Sequence, residues 1–340
     1  MESRHVAIIL AVVVIVEAFM IGYMAVTNSQ LNEEINRLQS DYQELLAKYN
    51  ELMAVHYPLS LIDDAGRVVV ISSEPHRVVS MAPSITEILF ALNLSDRVVG
   101  VTRYCDYPPI VNEMKENGSL TVIGGYWDPN IEIIMSLQPD LVIGYSSVPS
   151  HVDIADRLEA INISVILLDP HNLTDVFDNI ILIGRATGKL REARELVDQL
   201  EARVNSVVQK VSGLPKVRVY YELWFNPLMS VGPGTFIDSL ITMAGGENIF
   251  HDAATQYPMI SGEDVIARDP QVIILPDSYM TDYNVSIDQI ISRPGWSAIS
   301  AIKNNRIYFI DEDLLVRPGP RLVEGLEKLA MFIHPEAFKG

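Results

Sequence analysis

The chain has 340 residues, 49% of them hydrophobic, and carries a net charge of −19 at neutral pH. That length supports two domains with sizeable cores plus further segments, and the negative balance argues against nucleic acid or an anionic membrane face as a partner. A single cysteine, Cys105, leaves no disulfide framework and no cysteine pair for a metal, so its expected role is that of a small buried hydrophobe.

The first element is the apolar run 6–26, about 21 residues, which is enough to cross a hydrocarbon core of roughly 30 Å as a helix. Arg4 and His5 precede it and the next basic residue is Arg37, so the positive-inside bias puts the N-terminus in the cytoplasm and the rest outside. The run is long for a signal sequence, shows no small-residue cleavage pattern and is followed by no lipid-accepting cysteine, which favours an uncleaved anchor over residues 1–28. Glu17 lies inside the run, where the surrounding Val, Ile and Leu are expected to tolerate it.

Residues 29–56 read as a stalk. Leu31, Ile35, Leu38, Tyr42, Leu45, Tyr49 and Leu52 follow one another at alternating spacings of four and three. That is a heptad seam, expected either to join copies of the chain in a short coiled coil or to form a single helical stalk or a helix packed on its own domain. The stretch 59–71 then reads as a hairpin turning at residues 63–66.

Strand-like runs at 78–80, 98–101, 141–143 and 165–168 alternate with helical stretches at 84–92, 130–137, 152–160 and 174–186, which predicts a parallel sheet with helices on both faces. The segment 190–211 carries apolar residues at Leu190, Ala193, Leu196, Val197, Leu200, Val204, Val207, Val208 and Val211 with charges between them. This stripe predicts an amphipathic helix with one buried face, a rod of roughly 33 Å. A second alternation follows at 217–223, 235–244, 262–267, 272–275 and 307–310, closed by a helix at 320–332.

A repeat flanks the rod. EIIMSLQPDLVIG begins at Glu132 and EDVIARDPQVIIL at Glu263, each glutamate standing seven residues before a proline, Pro139 or Pro270, that leads into a strand-like run. The reading is α/β, with two similar lobes joined by a single long helix. The boundaries are 57–173 for the first lobe, 174–213 for the connecting helices and 214–340 for the second lobe.

Enzyme signatures are lacking. There is no phosphate-loop or zinc-protease motif, and Gly232-Pro233-Gly234 is without the lysine that a phosphate loop requires. Ser84 is expected to cap a helix, with Glu87 completing a capping box; His251 and Asp252 are expected in a loop, and Trp224 and Trp296 in the core. No catalytic residue, metal site or cofactor is expected. Sequons beginning at Asn93, Asn117, Asn162, Asn172 and Asn284 would permit surface glycans.

The segments 77–109, 137–144, 232–250, 293–310 and 317–330, together with the repeat, resemble in order the substrate-binding proteins of ABC importers for cobalamin, haem and ferric siderophores. The resemblance covers residues 59–338 and leaves out the anchor and stalk. It implies two Rossmann-like lobes bridged by one rigid helix, ligand held in the cleft, and no catalysis. It also implies that Glu132 and Glu263 dock into an ABC permease and its ATPase, a membrane complex. By the same resemblance Tyr104, Tyr126, Tyr257 and Arg317 align with cleft positions, with Trp127 adjacent. Aromatic rings suit a large flat metal chelate, a corrinoid first, since they bury about 150–250 Å² each; Arg317 suits a siderophore carboxylate or haem propionate as well, and a tyrosine suits haem iron. A chelatase or metallocluster scaffold of similar fold is the alternative from a different class.

Overall fold

The computed structural model describes residues 37–45, 48–49 and 53–339. It divides into two compact units, Met1–Val55 and His56–Gly340. The apolar run 6–26 lies outside the described residues, and among the described residues no helix is long and apolar enough to cross a membrane. Of the heptad seam, residues 37–45 are helical, and Leu38 and Leu45, one heptad apart, are both exposed.

The body opens with the antiparallel hairpin β1 (Leu59–Ile62) and β2 (Val68–Ile71). Strands β3 (Val78–Ser80), β4 (Val98–Val101), β5 (Thr121–Val122), β6 (Leu141–Tyr145) and β7 (Ser164–Leu168) form a parallel sheet in the order β5-β4-β3-β6-β7. Every residue of β6 is buried, as expected of a central parallel strand covered on both faces. The second sheet holds β8 (Val217–Phe225), β10 (Gly246–Asn248), β11 (Val272–Pro276) and β12 (Ile307–Ile310) in parallel, in the order β10-β8-β11-β12, with β9 (Leu228–Ser230) turning back antiparallel on β8. The sequence reading lacked β5, β9 and β10, none longer than three residues and so too short to show alternation.

Each sheet repeats the other around its central strand. The helices Ile131–Ser136 and Gly262–Arg268 begin after Asn130 and Ser261, whose side chains accept from backbone N–H groups of the first turn, and each places its glutamate, Glu132 or Glu263, at the second helical residue. Both helices end on a non-glycine residue in the left-handed region, Gln138 at φ 48° and Asp269 at φ 42°, an uncommon conformation for such residues. The following prolines are both buried and lead at equal distance into β6 and β11. The repeat is therefore one of backbone conformation as well as of residue type.

The helix Leu190–Val211 is the rod, with Ala193, Val197, Leu200, Val207 and Val211 buried. It packs on Leu173–Ala186, which closes the first lobe, and on Leu322–Ile333, which closes the second. A Cβ on Gly184 would stand 2.3 Å from the Cβ of Ala193, so the rod meets its first neighbour nearly backbone to backbone. Arg203 grips Glu327 with two bonds of 2.9 and 2.7 Å, tying the rod to the second lobe.

Candidate functional site

In parallel sheets, ligand-handling groups gather beyond the carboxyl ends of the strands. Tyr104 follows β4, Tyr126 and Trp127 follow β5, Trp224 is the last residue but one of β8, Asp277 follows β11, and Asp311, Glu312 and Arg317 follow β12.

On the first lobe the expected aromatic residues come together. The Tyr104 ring lies 3.4 Å from where a Cβ on Gly125 would sit, so it flanks the loop bearing Tyr126 and Trp127. Tyr126 and Trp127 meet edge to face at 4.6 Å, a favoured aromatic geometry. Trp127 is 68% exposed and Tyr104 51%, a large apolar surface presented to solvent. Burial pushes the Tyr126 hydroxyl up to about 12, so it remains a neutral phenol. Tyr257, 54% exposed, belongs to the second lobe, on the loop whose Gln256 and Pro258 carbonyls accept from Gly232 and Ser230.

His151 fixes the aromatic loop from beneath. The buried Tyr145 N–H donates to its Nδ1 at 3.0 Å, so Nε2 carries the proton and donates to the Tyr126 carbonyl at 2.8 Å. The ring also stands edge to face with Tyr126 at 5.3 Å. Burial pulls the imidazole down from the usual 6.5 to about 4, against the Tyr126 hydrogen bond, which favours the charged form.

The sign of the pH effect follows. The folded chain keeps His151 neutral while the unfolded chain takes up a proton below 6.5, so the stability linked to this group is intact above pH 6.5 and is lost as pH falls toward 4. The gap in unfolding free energy between wild type and His151→Gln should therefore narrow by about 2 kcal/mol from pH 7 to pH 4.5. Urea titrations at the two pH values read this out, and a constant gap would refute it. Asp277 and Asp313 run the other way, since burial raises each to about 6, and their contributions cancel in the difference.

Arg317 is found inside an ion-pair network that spans the lobes. Its guanidinium reaches Asp106 at 2.5 Å, Asp313 at 2.6 Å and Glu87 at 3.5 Å. Burial alone would lower its pKa; the hydrogen bond to Asp106 and the charges of Asp313, Asp106 and Glu87 outweigh that and raise it. Arg321 holds Glu87 with bonds of 3.0 and 2.9 Å, approaches Asp311 at 3.5 Å and lies 4.0 Å over the Tyr107 ring. Arg317 is thus saturated by carboxylates where a ligand anion was expected.

Two expectations are corrected here. The helix Pro83–Ala91 is entered through Ala82 with no side-chain cap; the Ser84 hydroxyl instead lies 2.7 Å from that of Tyr145, and Glu87 serves the two arginines. Trp224 is only half-buried, standing perpendicular to Tyr283 at 5.0 Å beside Phe225, because β8 there runs past its parallel partners and is paired only with the short β9. Trp296 is core, 1% exposed.

Cys105 is buried between Thr86 and Thr102, whose hydroxyls lie 3.1 and 3.2 Å from its sulfur, and burial raises its thiol, the state of an inert structural cysteine. His251 faces Asp238 at 2.9 Å in a turn. Among the described residues no group of three or more His, Cys, Asp or Glu side chains is placed to hold a metal ion.

The comparisons with known proteins agree with this architecture. The chain is 32% identical over 289 residues to the uncharacterized ABC transporter substrate-binding lipoprotein YvrC of Bacillus subtilis, covering 83% of this chain and 88% of that one. Its structure resembles the periplasmic vitamin B12-binding protein BtuF of Vibrio cholerae, with a TM-score of 0.65, 26% identity and coverage of 78% and 99%. It also resembles the periplasmic haem-binding protein RhuT of Roseiflexus, with a TM-score of 0.67, 28% identity and coverage of 78% and 100%. Residues 78–314 match the profile of the periplasmic binding protein family. Over most of its length, then, this chain belongs to the periplasmic binding protein family, as a substrate-binding protein and not an enzyme.

Proposed function

We propose that the chain is a membrane-tethered, extracytoplasmic binding protein that captures a metal chelate between its lobes, a corrinoid in the first place, and delivers it to an ABC permease and its ATPase. The observation that carries this reading is the aromatic ledge of exposed Tyr104 and Trp127 around the half-buried Tyr126, braced by His151 at the carboxyl ends of the first sheet. A flat chelate of corrinoid or haem size is the ligand such rings cover best, and the binding proteins of similar fold named above take vitamin B12 and haem. Tyr257 and Arg317 complete the cleft from the second lobe, Arg317 contributing through its network.

Glu132 and Glu263, both exposed and equivalent in the repeat, suit a partner with two related subunits, each offering arginines to one carboxylate. The run 6–26 supplies the tether, and the exposed Leu38 and Leu45 support a stalk seam open to a second copy of the chain.

Calorimetric titration of the full chain in nanodiscs with cobalamin, haem and ferric siderophores tests the ligand. One corrinoid alone should bind with a Kd below about 1 μM, near −8 kcal/mol. Preference for haem or a siderophore would replace the corrinoid, and binding of none would reduce the aromatic ledge to packing.

A further inference from the structure

The charges around the cleft are unevenly matched. Among the described residues, Arg103, Arg293, Arg317 and Arg321 each have a carboxylate partner. Arg317 and Arg321 are held by the carboxylates described above, and Arg293 is bound by both oxygens of the fully buried Glu222 at 2.5 and 2.8 Å. Arg103, beside Tyr104, is matched by Asp128 at 3.3 Å. Lys115 is folded back on the carbonyls of Arg103 and Cys105. An anionic ligand group arriving here would have to displace a carboxylate already bound, exchanging one ion pair for another.

The negative side is left over. Asp277 and Glu312 stand just past the ends of the adjacent strands β11 and β12 and share a hydrogen bond; burial, together with that bond, raises Asp277. Glu312 Oε2 is buried with no hydrogen-bond partner among the described residues, and so is the hydroxyl of Tyr221. Tyr221 is fully buried, and the charges that reach its phenol are those of Glu312 and Asp277. Buried polar atoms without partners, here a carboxylate oxygen that accepts and a phenol that can donate or accept, are costly and rare in native structures. Both carboxylates follow the carboxyl ends of their strands, where ligand groups gather in parallel sheets, with Asp311 and Asp313 in the same segment. A ligand amide or ammonium would supply donors to the two carboxylates, whereas a ligand carboxylate would meet like charge in a desolvated setting.

We infer that Asp277, Glu312 and Tyr221 make the cleft selective by charge, so that it takes chelates with an amide-bearing or cationic periphery and refuses those with a carboxylate periphery. This rests on the chelate-binding reading above and narrows it to one class of chelate.

The test titrates the full chain in nanodiscs with four probes. Cobinamide and cobyrinic acid share corrin ring and cobalt, but the first carries amides where the second carries carboxylates. Ferrioxamine B is a cationic ferric chelate, and a ferric tris-catecholate is a trianion. Cobinamide should bind at least tenfold more tightly than cobyrinic acid, and the Asp277→Asn/Glu312→Gln variant should shrink that ratio about tenfold. Asp277→Asn alone should move it in the same direction, with thermal unfolding confirming that both variants stay folded. Equal or tighter binding of cobyrinic acid, or a ratio unmoved in both variants, overturns the inference. If neither corrinoid binds, the corrinoid reading fails while the ferric pair decides the charge preference: cation over anion upholds it and the reverse overturns it. Binding of none of the four overturns both.

Discussion

Replacing Glu132 and Glu263 together by alanine is expected to reduce chelate uptake about a hundredfold or more while leaving ligand affinity within about twofold, since the loss of one charge-assisted contact on each lobe is worth at least a factor of ten apiece. The structure separates the two effects. Both carboxylates are exposed and at the second residue of their helices, and in each helix the first-turn N–H groups already have a side-chain acceptor in Asn130 or Ser261. Neither helix depends on its glutamate for capping. What each loses with its glutamate is a dipole-complementing charge, about 0.3–1 kcal/mol, too little to unfold lobes whose central strands are wholly buried.

The measurement is uptake into cells or proteoliposomes that carry the permease, with calorimetry on the same variants. Each single substitution should fall between wild type and the double variant, because one lobe still docks. A large loss of affinity in the double variant would place these residues in the cleft, and unchanged uptake would remove them from the docking surface.

How far the sequence foretold the molecule depends on the range over which each feature is encoded. The rod was legible because its signal is local: a charged surface between apolar residues three and four apart, bounded by Gly188 and Gly213, gives the observed bounds Leu190–Val211. The repeat was legible for a similar reason, since a capped helix, a left-handed residue, a buried proline and a strand leave an ordered imprint on about a dozen consecutive residues. Ser84 and Glu87 show the limit of such imprints. Their spacing satisfies a capping box, yet Pro83 already opens the helix, and what decides the fate of Glu87 is a pair of arginines more than 200 residues away, with Arg317 separated by 230 positions and Arg321 by 234. No window of sequence contains that contact. His151 was missed likewise, because its two partners, Tyr145 and Tyr126, are set by the sheet and a loop on a different strand. The resemblance to known binding proteins aligned Tyr104, Tyr126, Tyr257 and Arg317 with cleft positions, with Trp127 adjacent, but it did not reveal that Arg317 is already held by Asp106, Asp313 and Glu87.

The second large effect expected is loss of stability on substituting Glu87. Its side chain is 2% exposed and takes three contacts from two arginines that are themselves 14% and 13% exposed, so Glu87→Ala leaves two buried guanidinium groups short of a counter-charge. Removing one partner of such a pair costs about 3–5 kcal/mol. Asp106 and Asp313 still hold Arg317, and Asp311 with the Tyr107 ring partly shields Arg321, so the lower end applies. For a body of this size about 3 kcal/mol lowers the melting temperature by roughly 5 °C, which calorimetric unfolding of the full chain would read directly. Glu87→Gln, which keeps shape and one acceptor, should lose less. The paired replacement Glu87→Met with Arg321→Met should recover part of the loss, because exchanging a buried ion pair for packed apolar groups is often neutral or better. A shift under about 1 °C in Glu87→Ala would mean that water reaches the network and screens it. The rod holds the two lobes together, and its Leu196, Leu200 and Arg203 line the same cavity as Glu87, Tyr107 and Arg321, beside the seam where Glu87 and Asp106 of the first lobe meet Arg317 and Arg321 of the second. A charged seam at that point gives two lobes with similar folds one preferred register across the cleft.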